Sequence, residues 1–330
     1  MRIAINGFGR IGRQVMRLAW ENDALEVGRI NDLVDAETLA YLLRYDTTHG
    51  SWNRRIEADG GALVIDGRRV PISAEKNPAN LPWKDDAIDV VVEATGIFRT
   101  REKAAAHLDA GAKKVLITAP GRSALDGDFV IGVNEDQYDP ARHHVISIGS
   151  CTTNCLAPMA KALHDELTII HGLMTTAHAY TASQKLLDGP HRKLERTRAA
   201  AENIIPTTTG AAEAIGLVIP ELDGRLDGMA LRVPVKCGSI TDLTCRVEKE
   251  TTVDAVNGLM EKLAAGRMRG VLRIADAPIV SGDIIGDPHS CIFLPHQTRI
   301  MGGTLVKVLG WYDNEWGFSN RVVEMVSRMM

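Results

Sequence analysis

Three glycines, at positions 7, 9 and 12, restrict the fold of this chain more than any other feature of its sequence. They follow an alternating stretch, Arg2 to Asn6, that reads as a short strand, and they precede Ile11 to Trp20, where apolar residues recur at helical spacing. A strand that enters a helix through Asn6-Gly7-Phe8-Gly9-Arg10-Ile11-Gly12 is the opening half of a β-α-β unit. The sharp turn and the close approach of an anion need positions without a Cβ, while the helix N-terminus offers amides and the positive end of a dipole. The spacing predicts a dinucleotide pyrophosphate at this turn; taken alone it also describes a tight turn without a ligand. Glu26 to Asn31 reads as the second strand, and Asp32 lies twenty residues beyond Gly12. A carboxylate there can accept from an adenosine ribose diol and repels a 2′-phosphate, which predicts NAD over NADP.

The alternation continues with a helix over 36–43, a hairpin of 62–66 and 68–72 joined at Gly67, and strands at 89–93, 114–118, 129–133 and 145–148. A helix over 101–109 falls between two of them. The pattern predicts an α/β chain with an N-terminal Rossmann-type dinucleotide-binding domain, its mainly parallel sheet covered on both faces. After Cys151 the rhythm changes to a helix over 152–165, a long strand over 167–177, strands at 229–235, 240–247 and 304–311, and a helix from about 252 to 265. This is the pattern of a second, α+β catalytic domain. The expected division is 1–150, rejoined by an amphipathic C-terminal helix over 315–330, and 151–314; a chain of 330 residues is long enough for two cores. The polar stretch 181–203, interrupted by Pro190, is long for a structureless loop, which suggests a functional segment or one that crosses between subunits.

A formal charge of −4 with both signs interspersed leaves no basic field for nucleic acid. The densest basic run, His191, Arg192, Lys193, Arg196 and Arg198, reads as a solvated surface, an anion site or a partner site. Five cysteines are too few for a disulfide scaffold and fit a reducing compartment, so a cytoplasmic location is expected. No stretch of 18 apolar residues and no leader pattern disposes the chain to span or cross a membrane.

Ser150-Cys151-Thr152-Thr153-Asn154-Cys155 stands between a predicted strand and a predicted helix. A cysteine at a helix N-terminus has its thiolate favoured by the dipole, and an imidazole can take its proton. Cysteine is also an ordinary core residue, so the position alone leaves both roles open. Cys155, four residues on, reads as a packed thiol; the pair lacks the further ligands of a zinc site, and no metal is expected. Among ten histidines, His178 at the end of the next long strand is the strongest partner candidate, against a packed or surface role.

The motifs Gly7 to Gly12, Ser150 to Cys155, His178-Ala179-Tyr180-Thr181, Arg198-Ala199-Ala200, Asn203-Ile204-Ile205-Pro206, Thr209-Gly210-Ala211-Ala212, Arg232-Val233-Pro234 and Trp311-Tyr312-Asp313-Asn314-Glu315-Trp316 together resemble the phosphorylating glyceraldehyde-3-phosphate dehydrogenase family. The likeness runs the length of the chain in family order. It implies that Cys151 attacks the aldehyde, that His178 moves its proton, and that hydride transfer to NAD leaves an acyl thioester that inorganic phosphate cleaves. Thr181 and Arg232 would hold the substrate phosphate, and Ser150, Thr152, Thr209, Gly210 and Arg196 the inorganic one. Gly7, Phe8, Gly9, Arg10, Ile11, Gly12, Asp32, Thr95, Gly96 and Asn314 would line the cofactor, Asn314 bonding the nicotinamide carboxamide. The resemblance also implies a homotetramer, with 181–203 near a subunit interface, and a place in glycolysis and gluconeogenesis.

Two runs depart from the family pattern: Ser147-Ile148-Gly149-Ser150, where many relatives have Ser-Asn-Ala-Ser, and Val235-Lys236-Cys237-Gly238, where Thr-Pro-Asn-Val is common. Neither removes a proposed catalytic group. The nearest alternative is an erythrose-4-phosphate dehydrogenase, and Thr181 with Thr209-Gly210 favours the three-carbon substrate.

Overall fold

The computed structural model describes residues 1–330, which pack as two compact units. The first comprises Met1–Phe129, Asp136–Gly149 and Ser319–Met330, the second Val130–Glu135 and Ser150–Phe318.

In the first unit the strands are β1 (Arg2–Asn6), β2 (Glu26–Asn31), β3 (Ile56–Ala58), β4 (Ala62–Ile65), β5 (Arg68–Ser73), β6 (Val90–Glu93), β7 (Lys114–Ile117), β8 (Gly127–Asp128) and β9 (Val145–Ser147). They form one sheet in the order β3-β4-β5-β2-β1-β6-β7-β9-β8. The ladders from β5 through β2, β1, β6, β7 and β9 to β8 are parallel, and only the β3-β4-β5 meander is antiparallel. β6 and β7 are buried at every position, as strands with both faces covered must be. Three helices, α1 (Arg10–Trp20), α2 (Ala36–Arg44) and α3 (Arg101–Asp109), serve this unit. β1 leads through α1 to β2 on one side, while β6 pairs on its other side, so the order reverses at β1. The crevice at the carboxyl ends of β1 and β6 is where such sheets bind ligands.

The strand predicted over 129–133 is absent. Asn134 Oδ1 accepts from Val130 N–H at 2.8 Å, Val133 N–H donates to the Val130 carbonyl at 3.0 Å, and Gly132 sits at φ +83°, so the segment closes a turn instead. Apolar residues in a row mark burial, and here burial is served by a turn packed in the second unit.

The second unit holds β10 (Ile169–Ala179), β11 (Ile205–Thr208), β12 (Leu226–Val233), β13 (Ser239–Val247), β14 (Leu272–Ile274), β15 (Cys291–Phe293), β16 (Arg299–Met301) and β17 (Leu305–Tyr312). Its sheet runs β11-β12-β10-β13-β17-β15-β14, with β16 paired to β17. Burial alternates along β13, the signature of a sheet with one covered face. The helices are α4 (Cys151–Leu167), α5 (Ala211–Val218) and α6 (Val253–Ala265). β11, α5, β14, β15 and β16 are too short or too irregular in pattern to have been predicted. The stretch 181–203 is a closed loop: Gly189 N–H donates to the Thr197 carbonyl at 2.8 Å, Ala200 N–H to that of Lys185 at 2.9 Å, and Arg198 pairs with Asp188 at 2.9 Å. α7 (Trp316–Val326) ends the chain, shorter than the predicted 315–330, and from Ser319 onward it belongs to the first unit.

Candidate active site

The first unit carries a cleft of about 510 Å³ at the crevice beyond β1 and β6. Gly7 is held at φ +92°, and a Cβ there would lie 2.7 Å from Thr95 N. A Cβ on Gly12 would lie 2.2 Å from the Gly7 carbonyl oxygen, so helix and turn can meet only at a glycine. Gly9, the N-cap of α1, faces open space, room that a Cβ would occupy and that a pyrophosphate can use. Asp32 Oδ2 accepts from Phe8 N–H at 2.6 Å and Oδ1 from Val34 N–H at 3.0 Å. A carboxylate has about four acceptor positions, so two remain for a ribose diol. These residues fit NAD.

Thr95 and Gly96 lie in the turn after β6, with Gly96 at φ +71°. Of the other predicted cofactor residues, Phe8 is 1% exposed and offers the site backbone only. The Arg10 guanidinium pairs with Asp46, and Ile11 lies in the first turn of α1. Sequence reasoning missed the polar floor of the cleft. Asn31 Nδ2 donates to Asn6 Oδ1 at 2.7 Å, Asn6 Nδ2 to Glu93 Oε2 at 2.5 Å, and Glu93 Oε1 accepts from Thr95 N–H at 2.9 Å. His107 Nε2 lies 3.0 Å from Glu93 Oε2 and its Nδ1 accepts from Trp83 Nε1–H at 3.0 Å. An indole only donates, so the His107 proton sits on Nε2 and points at the carboxylate.

In the second unit Cys151 is the first residue of α4. Ser150 caps the helix in a reciprocal box: Thr153 N–H donates to Ser150 Oγ at 3.0 Å and Ser150 N–H to Thr153 Oγ1 at 3.3 Å. The thiol therefore stands at the positive end of a 17-residue helix, and it keeps part of its surface open. Cys151 Sγ lies 3.4 Å from His178 Nε2. His178 is on β10, and the parallel pairing of β10 with β12 sets Arg232 opposite it. His178 Nδ1 lies 2.6 Å from the Ala179 carbonyl oxygen and 2.8 Å from Arg232 Nη1, which also donates to that oxygen at 3.0 Å. Nδ1 cannot serve both, because a carbonyl only accepts and a guanidinium only donates. The shorter contact places the proton on Nδ1, and Nε2 is left with its lone pair toward the sulfur.

Burial pushes the Cys151 thiol up to about 11, with the Arg232 charge and the amides of Thr152 and Cys151 pulling the other way. Burial, joined by the neighbouring charge of Arg232, pushes the His178 imidazole down to about 3, opposed by the bond to Ala179. Both shifts favour the uncharged forms, a thiol beside a neutral imidazole. Behind it, the Tyr312 hydroxyl bonds Thr152 Oγ1 and Thr176 Oγ1, each at 2.8 Å, a link that sequence reasoning did not find.

The remaining predicted residues divide by what their side chains already do. Thr152 bonds Tyr312 through Oγ1 and can offer an anion its backbone N–H, whereas Ser150 spends its N–H on Thr153 Oγ1 and has its hydroxyl to turn to an anion. Arg196 Nε donates to Thr207 Oγ1 at 3.0 Å, which ties the loop to β11 and fixes the guanidinium beside Arg232, whose charge it opposes. Thr207, which the sequence analysis did not single out, is buried in β11 and also donates to Glu195 at 2.9 Å. Thr209 Oγ1 accepts from Ala211 N–H at 3.2 Å and Gly210 caps α5. Thr181 bonds Ser183 at 3.0 Å on the loop. Asn314, after β17, is 5% exposed, and its Oδ1 accepts from Gly238 N–H at 3.2 Å and from Ser239 Oγ at 2.9 Å.

Residues 1–101 match the family described as "Glyceraldehyde 3-phosphate dehydrogenase, NAD binding domain", and residues 150–314 match its C-terminal domain. The chain is 52% identical over 326 residues to glyceraldehyde-3-phosphate dehydrogenase 2 of Streptomyces avermitilis, covering 98% of this chain and 97% of that one. It is 51% identical over 327 residues to the glyceraldehyde-3-phosphate dehydrogenase of Geobacillus stearothermophilus, covering 99% and 97%. It is 55% identical over 324 residues to that of Kitasatospora aureofaciens, covering 98% and 97%.

Proposed function

This chain belongs to the glyceraldehyde-3-phosphate dehydrogenase family, and from that premise we propose that it converts D-glyceraldehyde 3-phosphate and inorganic phosphate to 1,3-bisphosphoglycerate, reducing NAD through a thioester on Cys151. The observation that carries the reading is the 3.4 Å approach of Cys151 Sγ to His178 Nε2 at a helix N-terminus, with Arg232 on the adjacent strand.

The neutral imidazole is the base the first step needs. As Sγ bonds to the aldehyde carbon, its proton passes to His178 Nε2 and on to the carbonyl oxygen, giving a thiohemiacetal. His178 then takes the hydroxyl proton as the carbon–hydrogen bond breaks, and the product on Cys151 is a thioester. Bound NAD supplies the hydride acceptor for that step. Attack by phosphate on the thioester carbon expels the Cys151 sulfur, which recovers its proton from His178. The N–H groups of Cys151 and Thr152, which bear on the sulfur, also favour negative charge that develops beside it.

Arg232 and Thr181 hold the phosphate already on the substrate, and Arg196, Thr209, Gly210, Ser150 and Thr152 the incoming one. Guanidinium and backbone donors suit an anion with several acceptor oxygens. A homotetramer accounts for the apolar side chains left in solvent: Leu173 is 67% exposed on the second unit's sheet, and Leu186 and Leu187 are 79% and 78% exposed on the 181–203 loop. A cytoplasmic location suits an enzyme whose nucleophile must stay reduced, and all five cysteines are unpaired. NADH formation from glyceraldehyde 3-phosphate, followed by absorbance, tests the reading. Many turnovers with phosphate and about one per active site without it are expected; sustained turnover without phosphate would overturn the acyl-transfer half.

A further inference from the structure

Two backbone amides decide which way the Asn314 side chain faces. The N–H of Gly238 can only donate, so the Asn314 atom 3.2 Å from it is the oxygen, Oδ1, and not the amide nitrogen. The N–H of Ala179 points at Ser239 Oγ from 3.1 Å, so that hydroxyl accepts there and must send its own proton elsewhere. The acceptor it meets, 2.9 Å away, is again Asn314 Oδ1. Polarity thus runs one way, from Ala179 N–H through the Ser239 hydroxyl to Asn314 Oδ1.

Each anchor of this chain is rigid. Ser239 opens β13, is 0% exposed, and pairs in register with Tyr312. Gly238 stands at φ +88°, and a Cβ there would lie 2.3 Å from the Ser281 carbonyl oxygen, so no other residue can hold that N–H in place without displacing backbone. Ala179 follows His178 and its carbonyl takes the His178 Nδ1 proton, so the same residue serves the base through its oxygen and Ser239 through its nitrogen. With Oδ1 engaged twice, what Asn314 can present to a ligand is the pair of donors on Nδ2.

We propose that Ser239 is a positioning residue for hydride transfer: its hydroxyl sets the polarity of the Asn314 amide so that Nδ2 donates to the nicotinamide carboxamide oxygen, which selects the ring face that meets the substrate. The proposal rests on the reading of Asn314 as the carboxamide's partner. Without the hydroxyl only Gly238 N–H opposes rotation of the amide, and a rotated Asn314 would offer its oxygen to the carboxamide nitrogen. The pyridine ring could then bind with either face forward.

Ser239→Ala and Asn314→Ala are compared with the parent enzyme, using aldehyde deuterated at C1 and reading the C4 protons of the product NADH by NMR. The parent should place deuterium in one diastereotopic position; Ser239→Ala should place it in both, and Ser239→Thr should restore one. NAD binding, followed by quenching of tryptophan fluorescence, should weaken by about 3- to 10-fold in Ser239→Ala, the effect of one neutral hydrogen bond. A single deuterium position in Ser239→Ala, with two in Asn314→Ala, overturns the role of Ser239 and leaves that of Asn314. A single position in both overturns the reading of Asn314 and the proposal with it. If Ser239→Ala does not fold, Ser239→Cys, of similar size with a weaker donor, replaces it; a single position there overturns the proposal and a mixture supports it.

Discussion

Asp32→Asn separates two jobs that the structure gives one carboxylate. In the folded chain Asp32 receives Phe8 N–H at 2.6 Å and Val34 N–H at 3.0 Å, bracing the turn, and its remaining acceptor positions face the cleft. An asparagine keeps one oxygen, which the closer Phe8 N–H will hold, and sets an amide nitrogen against Val34 N–H. The lost turn bond costs about 1 kcal/mol, a fall of a few degrees in Tm for a chain of this length. Replacing charge-assisted bonds to a ribose diol with neutral ones costs about 2 kcal/mol more, or roughly 30-fold in NAD affinity. For NADP the sign reverses. A carboxylate about 5 Å from a phosphate dianion is repelled by about 1.7 kcal/mol even at the dielectric of water, and the substitution removes that repulsion. Lys76 lines the same cleft and is untouched by the substitution.

The two effects add, because one weakens NAD and the other strengthens NADP. The ratio of kcat/KM for NAD over NADP should fall by roughly 100-fold or more in Asp32→Asn, about 3 kcal/mol of discrimination. Initial rates with each cofactor measure the ratio, and fluorescence titration of NAD in the absence of aldehyde checks that the change is in binding. A ratio within about threefold of the parent, alongside the same loss of thermal stability, would show that Asp32 only braces the turn and would refute the reasoning.

Three further outcomes follow from the geometry. Cys151→Ser should abolish aldehyde oxidation while NAD titrates as in the parent, since an alcohol at this position is a far weaker nucleophile and the thiol takes no part in the α1 turn; retained activity would exclude the thioester. His178→Asn should lower kcat by about 100-fold or more and slow alkylation of Cys151 by iodoacetamide, with a normal alkylation rate counting against the pairing. Burial works to raise the Asp46 carboxyl, but Arg10 and the amides of His49 and Thr48 outweigh it and hold the group at about 2, below its ordinary 3.8. A carboxyl depressed in the folded state contributes stability that is complete above the unfolded value and disappears as pH falls through the folded one. About 2 kcal/mol should therefore vanish between pH 4 and pH 2 in the parent and not in Asp46→Asn, as denaturation midpoints across that range would show.

What sequence could reveal follows the range of the interactions involved. The glycine turn is local: Gly7, Gly9 and Gly12 are needed by backbone a few residues away, and the structure shows each need directly. The position of Cys151 at a strand-to-helix junction is local too, down to the Ser150–Thr153 box. By contrast, Phe129 to Val133 has the composition of a strand and closes a turn, because Gly132 and the Asn134 side chain offer its amides a nearer partner than any strand. Thr207 lies in a strand that its own stretch does not announce, because β11 exists only through its pairing with β12. Glu93 and His107 gave no signal at all, since their pairing spans two elements and becomes visible only when β6 and α3 are placed.

The distance that matters most for the chemistry is itself set at long range. Cys151 and His178 sit on α4 and β10, and no spacing in the sequence measures the gap between them. The Tyr312 hydroxyl, from β17, bonds Thr152 on the first turn of α4 and Thr176 two residues before His178. It therefore ties the residue after the nucleophile to the strand that carries the base, and because all three oxygens are buried, breaking either bond would strand a polar group out of water. The Thr152 hydroxyl thus belongs to the frame that holds sulfur and imidazole 3.4 Å apart, and its backbone N–H is what it turns to an anion. Residues that resemble ligand contacts in a motif can owe their identity to the frame, and the ligand then meets backbone amides that any residue at the position would supply.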